Sequence, residues 1–254
     1  GSPKWNSNGA YFFDLDIKES KLPESNFTEI IEKDERLFLN NSYHDKYYGC
    51  DVRGFDNAVV NCKKFSLITG NLQSEKYFYH NKNLIKQWLK VTPDFDSYEF
   101  YGENLCVLNF RGSEYYGNKE LFLEKSYWNN AISEMKKLNS EMEFIVITED
   151  IYLAEVFFPN FKCYHFDIAK DYVTIKNSKY VILSNSSFAF FPVWTSETIE
   201  VIIAPKYWSR HNVSKGYWSS FQNIYKDWNY LDKKGRLFSY NECLNELNSQ
   251  NKMN

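Results

Sequence analysis

From residue 104 onward, short uninterrupted apolar runs alternate with amphipathic stretches, and that alternation restricts this half of the chain to a small set of folds. The runs lie at 105–110 (LCVLNF), 144–148 (FIVIT), 162–166, 180–184 (YVILS) and 199–204, the last closed by Pro205. Strands that are apolar at every position, not every second one, need cover on both faces, and that requirement points to a parallel sheet. Amphipathic stretches at 127–138, 150–157 and 171–178, with the apolar stretch at 188–195, supply the crossover helices. An α/β, Rossmann-like domain is therefore expected over residues 101–254. The tail at 238–248 reads as a further helix, free to pack back across the domains.

Residues 1–100 carry weaker signals. There is an apolar run at 11–15, a helix-like stretch at 27–33, a strand at 65–69, and a segment at 74–90 suited to one helix or two short ones. Pro93 and the acidic DFDSYEF segment mark a boundary, so this part is expected to form a smaller α/β domain. The chain opens on Gly1-Ser2 with no Met, and the natural protein is expected to start upstream.

Composition narrows the class. A net charge of −3 gives no basic field, so nucleic acid is not an expected partner. No apolar run reaches the roughly 20 residues of a membrane-spanning helix, which leaves at most a peripheral membrane association. The five cysteines are scattered without CxxC spacing, and no secretory leader opens the sequence; reduced thiols and a cytoplasmic location are expected. With only four histidines, none at ligand spacing from a cysteine, no metal is expected. Aromatic residues reach 19%. Each is first a core residue, although such side chains also stack on sugar rings.

In an open α/β sheet the ligand lies beyond the carboxyl ends of the strands. Three clusters fall there: Asn109-Phe110-Arg111-Gly112-Ser113-Glu114, Thr148-Glu149-Asp150 and Ser184-Asn185-Ser186-Ser187. Arg111, just past a buried strand and followed by Gly112, places a guanidinium where a phosphate can approach the backbone. Glu114 is either a general base or simply a partner for Arg111. Ser186 and Ser187, between strand and helix, either cap the helix or offer an anion site at its N-terminus. Asp150 stabilises the start of its helix or, with Glu149, pairs on a metal. GxSxG, GxGxxG and GxxxxGK[ST] are all absent, so hydrolase, dinucleotide oxidoreductase and P-loop readings lack support.

The stretch VLNFRGSEYYG resembles the HxRxGDY-type motif of the α-1,2-fucosyltransferases and their superfamily. ITGNLQSEKYF, FIVITEDIYLAEVFFP, DYVTIKNSKYVILSNSSFAFFPVWTSE and VIIAPKYW keep the family's order, so the resemblance spans roughly residues 65 to 210. It implies a GT-B-like glycosyltransferase of glycan biosynthesis. Such an enzyme transfers a sugar, fucose from GDP-fucose, to a glycan hydroxyl by an inverting, metal-independent route with no other cofactor. By that resemblance Arg111 contacts the donor diphosphate, and Asp171 reads the guanine edge. Ser186 and Ser187, with Asn185 before them, lie beside the phosphates. Asn109 stands where the motif has His, and Glu114, the candidate base, where it has Asp. On the residues alone, Asp171 serves equally as the N-cap of its helix. The family's Gly-rich GGxGNQ loop is not found, so the acceptor-side domain over 1–100 is expected to be truncated. A rival reading is a non-catalytic carbohydrate-binding or degenerate glycosyltransferase-like protein. It rests on that missing loop and on Trp208, Tyr217 and Trp218 in YWSRHNVSKGYWSSF as sugar-stacking residues. An unrelated Rossmann-like phosphate-binding domain is a weaker one.

Overall fold

The computed structural model describes residues 10–15, 23–32, 55–70, 72, 74–208, 211–214, 216, 218 and 224–252. The described residues of Gly1–Thr92, with Trp218, form one compact unit, and those of Pro93–Tyr217 and Ile224–Asn254 form another.

In the first unit, β1 (Thr28–Ile31) pairs in parallel with β2 (Ser66–Thr69), Thr28 opposite Ser66. The stretch expected to be helical at 27–33 is thus a strand over its described part. It is too short to establish a helical period, and Thr28, Ile30 and Ile31 are β-branched and favour the pleated backbone. Glu32 follows β1 and is buried; it accepts hydrogen bonds from Tyr77 Oη at 2.7 Å and from the Leu72 amide at 3.0 Å. A Cβ at Gly70 would meet the Glu32 Cβ at 2.5 Å, so only glycine leaves room for this carboxylate. Helix α1 (Asn57–Val60) is capped by Asp56, and α2 (Lys82–Trp88) follows two 3-10 turns at Glu75–Tyr77 and Tyr79–Asn81. The run at 11–15 makes a 3-10 turn (Ala10–Phe12) and then a single antiparallel bridge from Phe13 to Val91.

The second unit is built on seven strands: β3 (Leu105–Asn109), β4 (Glu143–Ile147), β5 (Lys162–Tyr164), β6 (Tyr180–Leu183), β7 (Val201–Pro205), β8 (Asn229–Leu231) and β9 (Leu237–Ser239). Their spatial order is β5-β4-β3-β6-β7-β8-β9, all parallel except the last pair. Helices α3 (Lys125–Leu138), α4 (Ile151–Phe157), α5 (Ile168–Lys176) and α6 (Ser187–Thr195) connect β3 to β7 in turn, and α7 (Tyr240–Lys252) follows β9. Consecutive residues in β3, β4 and β6 are buried, so both faces of the sheet are covered, as the unbroken apolar runs require. This mixed α/β unit has the strand order of a doubly wound sheet.

Three details differ from the sequence expectation. Helix α5 begins at Ile168 and not at 171, because Asp167 is the N-cap and accepts from the Lys170 amide at 2.8 Å. Asp171 is therefore not the cap. Strands β8 and β9 were not expected, being only three residues each. Residues 238 and 239 belong to β9, and α7 docks on its own unit through Glu246, which meets Lys206 Nζ at 2.5 Å and Tyr207 Oη at 2.9 Å. Of the cysteines, Cys62, Cys106, Cys163 and Cys243 are free thiols, and Cys50 lies outside the described residues.

The buried His211 carries a consequence for stability. Its Nδ1–H donates to the Lys206 carbonyl at 2.9 Å, its ring edge meets Tyr127, and Nε2 is buried without a hydrogen-bond partner. Burial pulls its pKa down to about 4, against the opposing effect of the Lys206 carbonyl. Between pH 6.5 and 4 the unfolded chain binds a proton that the folded chain refuses. Stability is therefore complete above the unfolded value and falls as pH drops, by about 3 kcal/mol in all. Melting temperature measured against pH should fall over this range, and His211→Asn should flatten that fall while lowering stability at neutral pH. An unchanged slope would assign the acid sensitivity to other groups.

Candidate functional site

Strands β3, β4, β5 and β6 run in the same direction and end on one edge of the sheet. The chain leaves β3 toward β4 on one side and later returns to place β6 on the other, so the crevice of a doubly wound sheet opens above β3. A cleft of about 170 Å³ lies at this edge. Asn109, Arg111, Thr148, Glu149, His165 and Asp171 give it polar groups, with Ser186 from the turn after β6, and Ile147, Ile168 and Phe188 give it apolar wall.

The Arg111 loop is shaped by Asp150. That carboxylate caps α4 by accepting from the Leu153 amide at 3.1 Å, and its other oxygen accepts from the Ser113 amide at 2.9 Å. The Asp150 amide in turn donates to Thr148 Oγ1 at 3.0 Å. Asp150 thus fills the capping role. A Cβ at Gly112 would lie 2.7 Å from the Asp150 Cβ, so Gly112 is required by this clamp, and it is not part of the cleft wall. Ser113 is held at φ +39°, a left-handed conformation that its hydrogen bond to Asp150 helps maintain.

Arg111 lies between two carboxylates. Its Nη2 is hydrogen-bonded to Glu114, and its Nε lies 3.3 Å from Glu149 Oε1, an ion pair without hydrogen-bond alignment. The guanidinium also stands over the Tyr115 ring at 5.5 Å. Partial burial opposes its charge, but the Glu114 hydrogen bond and both carboxylates outweigh burial and strengthen its hold on the proton. The hydrogen bond from Arg111 keeps the Glu114 carboxyl below the usual carboxylate range. Glu114 itself is exposed and outside the cleft wall.

Asp171 projects from the first turn of α5 and is buried. One oxygen accepts from the Phe166 amide at 3.0 Å, and the other lies 3.2 Å from His165 Nδ1. Burial raises its pKa, and these two bonds pull against that rise. Each oxygen keeps a lone pair for a further donor, so the carboxylate can accept from paired N–H groups of a ligand. Asn109 ties β3 to β6 by accepting from Ser184 Oγ at 3.0 Å. Ser186 occupies the N-cap of α6, yet its hydroxyl makes no capping bond and lines the cleft. Ser187 is exposed and outside the wall. Asn185 is buried and anchors a different loop through the Leu121 carbonyl at 2.9 Å.

The structure therefore brings together Asn109, Arg111, Asp171 and Ser186, and leaves Gly112, Glu114, Asn185 and Ser187 outside the lining. It adds His165, Ile168 and Phe188. His165 lies within the run at 162–166 and just past β5, which ends at Tyr164, so applying the strand-end rule there too would have found it. Phe188 reads as core in a nearly all-apolar helix, and only its 37% exposure reveals it. Trp208 is buried and packs against Tyr225 and Trp228, and Trp218 is buried too, so neither ring is free to stack on a sugar. Tyr217 lies outside the described residues. Among the described residues no group of three His, Cys, Asp or Glu side chains is placed to hold a metal, and no helix is long and apolar enough to cross a membrane. Compared with protein-family models and with curated proteins, the chain matches none.

The clamp gives a direct expectation. Asp150→Ala removes a helix cap and the Ser113 bond, and should cost about 1–2 kcal/mol of stability. Amide exchange at Ser113 should speed up in the same variant, and Asp150→Asn, which keeps one acceptor oxygen, should restore part of the loss. Unaltered protection of the Ser113 amide would show that the loop is held by something else.

Proposed function

We propose that this chain is a sugar-nucleotide-dependent glycosyltransferase of GT-B type, transferring a sugar from a GDP-linked donor, fucose by resemblance, to a hydroxyl of a glycan. The observation that carries the reading is the convergence of Asp171 and Arg111 on one cleft at the switch point of the sheet. A buried carboxylate beside the apolar Ile168 and Phe188 suits the flat face and N–H edge of a nucleobase. An arginine, a free serine hydroxyl and the N-terminus of α6 suit its diphosphate.

In this reading the acceptor hydroxyl attacks the anomeric carbon, and the bond from that carbon to the diphosphate oxygen breaks. Arg111 stabilises the departing anion, and fixed charge of this kind is where most of the rate enhancement arises. Arg111 is already paired with Glu114, so a diphosphate taking the guanidinium fork must displace that carboxylate. Released from the arginine, Glu114 loses the interaction that depresses its pKa and becomes the stronger base, able to take the hydroxyl proton.

A thermal-shift panel with GDP, UDP, CDP and dTDP, each with and without magnesium, tests the reading. A ligand present at 100 times its dissociation constant should add about 2.7 kcal/mol to stability. GDP alone should stabilise the chain, without need of magnesium, and Arg111→Ala and Asp171→Ala should abolish the shift. Preference for another nucleotide would discard the guanine assignment, and no shift with any would discard the reading. With turnover in hand, Glu114→Gln should lower kcat while tightening GDP binding, because the carboxylate that competes for Arg111 is gone; an unchanged rate would remove Glu114 from the chemistry.

A further inference from the structure

Neighbouring strands of a sheet stand about 4.8 Å apart, so the two steps from β5 to β3 span about 10 Å along the functional edge. The polar groups of the cleft are spread along this line. His165, paired with Asp171, lies just past β5, and Arg111 lies just past β3. Thr148 and Glu149 follow the strand between them, β4. The Thr148 hydroxyl already accepts from the Asp150 amide. Glu149 is placed differently. Its Oε1 is buried 3.3 Å from Arg111 Nε and takes no hydrogen bond from the described residues, yet 27% of the side chain is exposed. That leaves Oε2 as the acceptor presented to the cleft. Thr148 in its turn and Asp150 on α4 fix the backbone on either side.

A carboxylate here cannot serve as a phosphate ligand, because it repels the diphosphate that Arg111 attracts. It suits a neutral group rich in O–H donors, since an ionised carboxyl group only accepts hydrogen bonds. A nucleotide laid with its base at Asp171 and its diphosphate at Arg111 puts its ribose over β4. The adjacent 2′ and 3′ hydroxyls of that sugar are the donors that Glu149 lacks. We infer that Glu149 is the ribose-reading residue of this cleft, and that it selects ribonucleotides over 2′-deoxyribonucleotides. The inference rests on the nucleotide-binding reading of the cleft but not on guanine. Any ribonucleoside diphosphate seated with its sugar over β4 meets the same carboxylate. Arg111 assists, because its ion pair with Glu149 is what turns Oε1 inward and leaves Oε2 for the sugar.

Thermal-shift titrations with GDP, UDP and CDP, each beside its 2′-deoxy form, test it on the parent chain and on Glu149→Ala. The parent should bind the ribose form of its nucleotide roughly ten- to hundredfold more tightly than the 2′-deoxy form, the worth of a hydrogen bond to a charged group. In Glu149→Ala the two forms should bind alike. The ratio is the deciding quantity, because a carboxylate that merely tempered Arg111 would change both forms by one factor and leave their ratio intact. Asp150 holds the helix cap and Glu114 still pairs with Arg111, so the variant should keep the parent's melting temperature without ligand. Glu149→Gln keeps the shape and a neutral acceptor, and should give an intermediate ratio. Equal binding of ribose and deoxyribose forms by the parent, or a preference that survives Glu149→Ala, would overturn the inference and leave the nucleotide site standing. Binding of none of the six would overturn the inference and the nucleotide reading together.

Discussion

The central position of β3 is the constraint on which the functional edge depends. Parallel pairing with β4 on one side and β6 on the other buries its successive residues and leaves no freedom in where it ends. Asn109, the last residue of β3, is locked to Ser184 through both backbone and side chain. Every group lining the cleft is then placed by how far its own loop travels from a strand end fixed in this way. The site is thus inherited from sheet geometry, and only its chemistry is chosen by the residues.

That chemistry is a balance of charges. Arg111 would be an unpartnered cation at the mouth of a half-buried cleft, and Glu114 and Glu149 neutralise it. A bound anion then competes for a guanidinium already engaged, so affinity is given up for an arginine that is oriented beforehand. Glu114, the exposed one of the two carboxylates, is the one that yields at lower cost, because surface ion pairs contribute little. Asp171 is the opposite case: a buried carboxylate whose two hydrogen bonds compensate its desolvation only in part.

Legibility in the sequence followed length and repetition. The strands at 105–109, 143–147, 180–183 and 201–205 could be read directly, because four or five consecutive apolar residues between amphipathic stretches have few other uses. β8 and β9 were not readable, since three residues carry no period and their pairing is decided by the neighbours β7 and α7. At 28–31 the pattern was read as helical, and pairing with β2 makes it a strand. The start of α5 was misplaced because Asp167 and Asp171 are one helical turn apart and offer the same capping chemistry; only the Lys170 amide distinguishes them. Asn109, Arg111 and Ser186 were visible as polar residues at or beyond strand ends and Asp171 only through the family resemblance, whereas a surface-facing Phe188 in an apolar helix is legible only in three dimensions.

The mutual fit of Gly112 and Asp150 reaches beyond this one chain. Any side chain at position 112 would occupy the space of the Asp150 carboxylate, and shrinking residue 150 would forfeit both the α4 cap and the hold on Ser113. The two positions, 38 residues apart in the sequence, are therefore not free to drift separately. Among descendants of the same ancestral gene they should be retained as a pair or replaced as a pair, and a lineage that lost one first would pass through a less stable intermediate.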